Sequence, residues 1–290
     1  MRCLQCMRWI IVFVMAVFVP QGLARAADVP YVPTPQVVVD AMLKIANVGP
    51  NDFLIDLGSG DGRIVITAAK KFGTRGFGVD LDDNLVRTAR RNAEIEGVKD
   101  RVEFFTRNLF DTDLTTASVI TMYLFNSVNL RLRPSLFKLK PGTRLVSHDF
   151  DMAKWMPDDR LSVDVPGKSY GPPSSEIFAW VVPADASGQW RWQLPSGDAK
   201  MDYDASFEQT FQMISGMVRS GGGSAPVRDA RMRGESIMFA VMTERNGRVT
   251  RQEFSGRLSG DVIEGHTVID GVKMPWRAMR VSRGRMIIDI

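Results

Sequence analysis

Cysteine is nearly absent from this 290-residue chain: Cys3 and Cys6 are its only two. From residue 7 onward no disulfide, thiolate zinc site or cysteine nucleophile is available. Histidine is equally scarce. His148 and His266 are the only two and lie far apart in sequence, so a histidine-rich metal centre has no support. No metal is expected, although a site of carboxylates alone stays open. No long Lys/Arg block occurs and the formal net charge is only +4, so nucleic acid is not expected as a partner. Apolar runs are short as well. "WIIVFVMAVFV" (9–19) has about eleven residues, where a spanning helix needs about 20.

That short run has its own meaning. Arg2 and Arg8 precede it, and Ala24-Arg25-Ala26 follows as a small-x-small pattern. Residues 1–27 therefore read as a secretory signal peptide, implying export to a periplasm or cell envelope. The alternatives are an uncleaved membrane anchor, which would be the chain's only membrane contact, or an organellar import sequence.

With 44% hydrophobic and 24% charged residues, the remainder has globular composition. In "YVPTPQVVVDAMLKIANVG", Thr34 reads as an N-cap and Pro35 as the first helical position. Then "FLIDL", "RGFGVD", "RVEFFT", "SVITMYLF" and "GTRLVSHDF" read as strands, alternating with helices at "GRIVITAAKKF", "DNLVRTARRNAEIE" and "SVNLRLRPSLFKL". This alternation predicts an α/β fold with a mostly parallel sheet. "DRLSVDV" and "IFAWVV" follow without a helix between them, as an antiparallel pair closing the sheet edge.

From about Gly188 the pattern changes to short strands: "QWRWQL", "SIMFAVMTE", "RVTRQEFSG", "DVIEGHTVI" and "PWRAMRV". Asn246-Gly247 signals a type I′ hairpin, and Gly221-Gly222-Gly223-Ser224 reads as a flexible turn or linker. The expected organisation is a leader over 1–27, a nucleotide-binding α/β domain over 28–185, and a smaller antiparallel β meander or open barrel over 188–290. Trp190, Trp192 and Trp276 read as its core, and Trp155 as packing in the first domain.

The chemistry sits in Asp56-Leu57-Gly58-Ser59-Gly60-Asp61-Gly62-Arg63, between the first strand and its helix. A dinucleotide fingerprint G-x-G-x-x-G counted from Gly58 would need glycine where Arg63 stands. The loop suits S-adenosylmethionine instead. Asp56 at the strand end can meet its amino group, and Gly58, Ser59, Gly60 and Gly62 let the backbone approach. The helix N-terminus beyond favours its carboxylate. Asp80 ends the second strand, placed to accept from both ribose hydroxyls.

These features resemble motif I of class I, seven-strand S-adenosylmethionine-dependent methyltransferases, and the likeness spans roughly residues 31–182. It implies that Asn108 contacts the adenine amino group and Leu109 covers the ring, with Asp111 as the fallback. "YVPTP", "DLGSGDGRIVI", "MYLFNSVN" and "LRPSLFKLKPGTRLVSHDF" resemble more narrowly the protein-lysine methyltransferases related to the mitochondrial enzymes acting on ATP synthase and on the adenine nucleotide translocase. That likeness implies N-methylation of a lysine.

Loops at the C-terminal ends of the parallel strands should form the acceptor pocket. Tyr123, Phe125, Asn126 and Asn129 are candidate walls, where a ring can stabilise a methylated cation and an Asn carbonyl can orient the amine. Plain core packing equally explains Phe125. His148, beside Asp149 at the fifth strand's end, is the candidate to take the amine's proton. Tyr31 and Thr34 are candidates for a lid, or simply the start of a stiffened helix. The expected activity is methylation of a protein lysine. The alternatives are a small-molecule or lipid acceptor held by the β region, and a non-catalytic envelope scaffold retaining the fold.

Overall fold

A computed structural model describes residues 31–168, 171–245 and 248–288. The expected signal peptide over 1–27 and the hairpin expected at Asn246-Gly247 lie outside the described residues.

Five strands alternate with helices as the periodicity predicts: α1 (Gln36–Ile45), β1 (Phe53–Leu57), α2 (Arg63–Phe72), β2 (Arg75–Asp80), α3 (Asp83–Ile95), β3 (Val102–Thr106), β4 (Val119–Met122), α4 (Asn126–Leu136) and β5 (Arg144–His148). β6 (Asp159–Asp164) and β7 (Ser174–Val181) complete a sheet of order β3-β2-β1-β4-β5-β7-β6. β1 to β5 are parallel; β7 runs antiparallel to β5, and β6 to β7. The order reverses between β1 and β4, and in such sheets ligands bind beyond the strand C-termini at that point.

Alternation along each strand feeds two apolar layers. Leu54, Val102, Phe104, Val119 and Val146 pack with α1, α2 and α3 on one face. Ile55, Leu57, Val79, Met122 and Leu145 pack with Leu132 and Leu136 of α4 and with Trp155 on the other. α1 differs from expectation at its start. Pro35 is the N-cap, no side chain caps the helix, and the Thr34 hydroxyl lies 3.3 Å from His148 Nδ1 instead.

The C-terminal strands are β8 (Gly188–Ser196), β9 (Ala199–Thr210), β10 (Met213–Ser220), β11 (Gly223–Arg233), β12 (Ser236–Arg245), β13 (Arg248–Ser259), β14 (Val262–Ile269) and β15 (Val272–Arg283). They form a closed barrel, because β15 pairs back onto β8 from Ala278↔Trp192 to Arg283↔Gly188. The expected meander or open barrel is thus closed. The glycine run is no linker: Gly221 and Gly222 (φ 54° and 81°) form the tip of the β10–β11 hairpin, flanked by the Ser220↔Gly223 pair. Two successive left-handed residues match the twist of a two-residue hairpin.

The barrel interior is packed, not hollow. Trp190, Trp192, Tyr203, Phe207, Phe239, Phe254 and Trp276 are all buried there. Phe239 stacks on Phe254 at 4.7 Å and Trp192 on Tyr203 at 5.2 Å. The barrel also joins the sheet's second apolar layer. Phe211, between β9 and β10, is 3% exposed and lies 5.5 Å from Phe137 and 6.1 Å from Trp155. Arg231 pairs with the buried Asp158 carboxylate at 2.6 Å. Gln209 donates to the carbonyls of Ala184 and Phe211 and accepts from the Ala186 N–H.

Candidate active site

The loop between β1 and α2 is built on backbone that L side chains rarely adopt: Gly58, Gly60 and Gly62 have φ of 76°, 52° and 82°. The N–H groups of Gly58 and Ser59 both donate to the Val79 carbonyl at 2.9 Å, lashing the loop to the end of β2. A Cβ at Gly62 would stand 2.7 Å from the Phe104 ring, and one at Gly60 would stand 2.4 Å from the Tyr31 ring. The first clash is with packed core and the second with a half-exposed side chain from the segment before α1.

Two carboxylates meet this loop. Asp56 is buried at the C-terminal half of β1, and Thr121, its register partner on β4, donates to it at 2.7 Å. Burial pushes its carboxyl up to about 7, against the Thr121 hydrogen bond and aided by the charges of Asp80 and Asp61. Asp80 ends β2, where its carboxylate accepts from the Gly60 N–H at 2.9 Å and the Asp82 N–H at 3.0 Å. Asp61 turns away to pair with Arg63 at 2.6 Å, and Arg63 also donates to the Thr34 carbonyl. Tyr31 engages the same Asp61 and Arg63 side chains. The strap before α1 is therefore tied across the glycine loop.

After β3, Asn108 caps a 3-10 turn over Leu109–Asp111, its side-chain oxygen accepting from the Phe110 N–H at 3.0 Å. That bond uses one lone pair of the side-chain oxygen and leaves the second able to accept from an adenine amino group. Leu109 is half-buried against the second apolar layer, and Asp111 is exposed.

The acceptor candidates gather beyond β4 and β5. Tyr123 lies on His148 with ring centroids 3.8 Å apart and stacks with Phe150 at 6.0 Å. Phe125 meets Phe150 edge-on at 5.4 Å. Asn126 starts α4 and donates to Asp151 Oδ1 at 2.9 Å. Asn129, fully buried one turn on, donates to the Phe150 and Asp151 carbonyls at 3.2 and 3.3 Å. The two asparagines thus brace the turn that carries Phe150.

His148 requires a correction. It is fully buried, its Nε2 lies 2.9 Å from Ser175 Oγ, and its Nδ1 faces Thr34. Burial drives its pKa down to about 4; Asp149 opposes this and Lys168 reinforces it. A neutral imidazole with both nitrogens engaged is a platform beneath Tyr123, not a proton acceptor on the rim.

Thr121, Phe150, Asp151 and Ser175 escaped the sequence reading. Phe150 was signalled by its place directly after the fifth strand. Thr121 becomes visible only once β4 is set beside β1. Among the described residues, no group of three or more His, Cys, Asp or Glu side chains is arranged to hold a metal ion.

The residues fit S-adenosylmethionine. The loop has no side chain at its closest points, Ser59 Oγ is buried there without a partner, and carboxylates stand at the ends of adjacent strands. A family model described as the ANTKMT methyltransferase domain matches residues 56–159, spanning both halves of this site and none of the barrel. A protein-lysine N-methyltransferase of Saccharolobus islandicus is 48% identical over 138 residues, covering 47% of this chain and 86% of that protein. An ATP synthase lysine N-methyltransferase of Caenorhabditis elegans is 33% identical over 141 residues, covering 47% and 73%. A crystal structure of an RNA methyltransferase from Salinibacter ruber with S-adenosyl-L-homocysteine is 50% identical, covers 53% of this chain and 95% of that one, and superposes with a TM-score of 0.48. Loop, strand order and relatives agree, and the chain belongs to the ANTKMT methyltransferase family of S-adenosylmethionine-dependent enzymes.

Proposed function

We propose that this enzyme N-methylates a lysine side chain of a protein. The observation that carries the reading is the aromatic wall of Tyr123, Phe125 and Phe150 at the C-terminal ends of β4 and β5, on the cofactor's side of the sheet. The lysine N-methyltransferases among its relatives support it.

S-adenosylmethionine supplies a methyl carbon already activated on a sulfonium. In this reading Asp56 holds the amino group of its methionine part, Asp80 the ribose, and the loop from Gly58 to Gly62 its remaining edge. Leu109 covers the adenine. Asn108 accepts from the adenine amino group through the lone pair that Phe110 leaves free. The remaining work is to align a neutral amine and keep water away. A lysine has an ordinary pKa of about 10.4, and a dry aromatic pocket lowers it by disfavouring the charged form. The same rings face the cation formed on methylation. His148 sets the Tyr123 ring from below, and Asn126 and Asn129 fix the Phe150 turn. The aromatic filling of the barrel speaks against an acceptor held inside it.

The reading keeps residues 1–27 as a signal peptide, 28–185 as the catalytic domain and 188–290 as the barrel domain, with the enzyme working in the cell envelope. N-terminal sequencing of the native protein tests that placement: a chain beginning at Met1 overturns export by cleavage.

The activity is tested by incubating an envelope extract with tritiated cofactor and wild type, Asp56→Ala or Asp80→Ala. Label on protein as methyl-lysine, strongly reduced in both variants, is expected. Label confined to lipid, or equal labelling by all three, overturns the reading.

A further inference from the structure

The barrel closes along a seam that is zipped over only part of its length. β8 and β15 pair from Gly188↔Arg283 to Trp192↔Ala278, and there the ladder stops although both strands continue. Three residues further along the same register, Pro195 would stand opposite Pro275. The Arg280 N–H donates to the Asp261 carbonyl on the β14 side. Alternation then turns the backbone of Arg277 and Pro275 toward β8, and that of Gln193 and Pro195 toward β15. Neither proline brings an N–H to the seam, so the two edges cannot satisfy each other there.

A groove of about 700 Å³ lies at this point, lined by Trp192, Gln193, Pro275, Trp276 and Arg277 among others. Trp192 is 3% exposed and its indole Nε1 is a buried donor without an acceptor. The polar side chains of the rim are already matched. Arg191 pairs with Asp204 at 2.8 Å, Arg277 with Glu264 at 3.2 Å, and Gln193 donates to Asp202 at 2.7 Å. Backbone edges remain, together with the exposed apolar side chains of Met279 and Val281 on the same strand.

We infer that this seam binds an extended peptide segment of a partner protein, uncharged and apolar at alternate positions, as an added strand between β8 and β15. Charge complementarity selects that occupant. The guanidiniums are neutralised by their own carboxylates, so the groove offers nothing to a phosphate or an anionic lipid headgroup. It offers strand-edge donors and acceptors, which an extended backbone matches, and apolar contacts for every second side chain.

The inference does not depend on the methyl-transfer reading, because its readout is binding alone. Fluorescein-labelled hexapeptides of the form X-Thr-X-Thr-X-Thr, with X taken in turn as Val, Ile, Leu, Met and Phe, are titrated against the full chain by fluorescence anisotropy. At least one should bind with a Kd below about 1 mM, and N-methylation of its threonine amides should weaken it about tenfold or more. Trp192→Phe should weaken it severalfold, as should the surface variant Met279→Glu, which leaves the barrel core untouched. Failure of all five peptides to bind overturns the inference, as does equal binding of the N-methylated peptide. Binding of anionic phosphatidylglycerol vesicles, with no peptide bound, overturns it in favour of a membrane.

Discussion

The Tyr123 ring rests on the imidazole of His148, with centroids 3.8 Å apart and planes inclined by 32°. His148 is itself gripped by Thr34 from the strap before α1 and by Ser175 from β7. A residue that never meets solvent thus fixes the ring that would face the acceptor.

Replacing that platform should damage turnover more than cofactor binding. His148→Gln is expected to lower kcat by about tenfold to a hundredfold, because misplacement of a reacting group by about 1 Å carries a cost of that order. The KM for S-adenosylmethionine should stay within about twofold. Steady-state methylation assays check both. A kcat deficit that is present only where the wild-type imidazole is neutral, and that vanishes at low pH, would restore His148 as a proton acceptor.

Asp56 and His148 should push stability in opposite directions as pH changes. Native Asp56 keeps its proton up to about 7, whereas the unfolded chain releases it near 3.8, so its contribution declines as pH rises through that window. Native His148 stays neutral down to about 4, whereas the unfolded chain takes up its proton near 6.5, so its contribution declines as pH falls through that window. Relative to wild type, Asp56→Asn should lose stability and His148→Gln gain it on going from pH 6.5 to 4. Each slope reaches at most about 1.4 kcal/mol per pH unit. Urea unfolding across that range measures the difference, and parallel profiles would refute the opposition.

Two neighbouring glycines should respond differently to the same added methyl. Gly62→Ala drives a Cβ into Phe104 and Ala89 and should cost about 1–3 kcal/mol of stability. Gly60→Ala meets the Tyr31 ring, a half-exposed side chain that can swing away by giving up its contacts with Asp61 and Arg63. Backbone strain at its positive φ should cost about 1–2 kcal/mol, a strain Gly62→Ala bears in addition to its clash, while cofactor affinity falls at least tenfold. Thermal unfolding and calorimetric titration with S-adenosylhomocysteine separate the two effects.

Arg231→Ala should expose how firmly the barrel holds the sheet. The Asp158 side chain is wholly buried and would keep only the Val181 N–H as a partner. The other half of the pair is partly exposed, so a loss of about 1–3 kcal/mol is expected in urea unfolding. Arg231→Ala combined with Asp158→Asn should recover part of it.

The cofactor loop was legible because its determinants are local. Three glycines, an acid at one strand end and an acid at the next lie within 25 residues, Asp56 to Asp80. His148 was misjudged because its partners are not local: Thr34 is 114 residues away and Ser175 is 27. Three barrel strands went unread for another reason. In β9, Tyr203, Ala205 and Phe207 do alternate, but the inward Gln209 breaks the apolar period. In β10, Met213 and Met217 sit on the outer face, hiding the alternation of Ile214 and Val218. Closure itself depends on pairing β8 with β15, far apart in sequence, and no periodicity within either strand encodes it.

Phe211 belongs by chain position to the barrel and by packing to the layer beneath the methyltransferase sheet. A truncation ending after β7 would therefore leave Trp155 and Phe137 facing a void the width of a phenyl ring. Relatives without the barrel would need to plug that hole with a side chain of their own. Transplanting the barrel onto one of them would succeed only if that plug were removed in the same stroke.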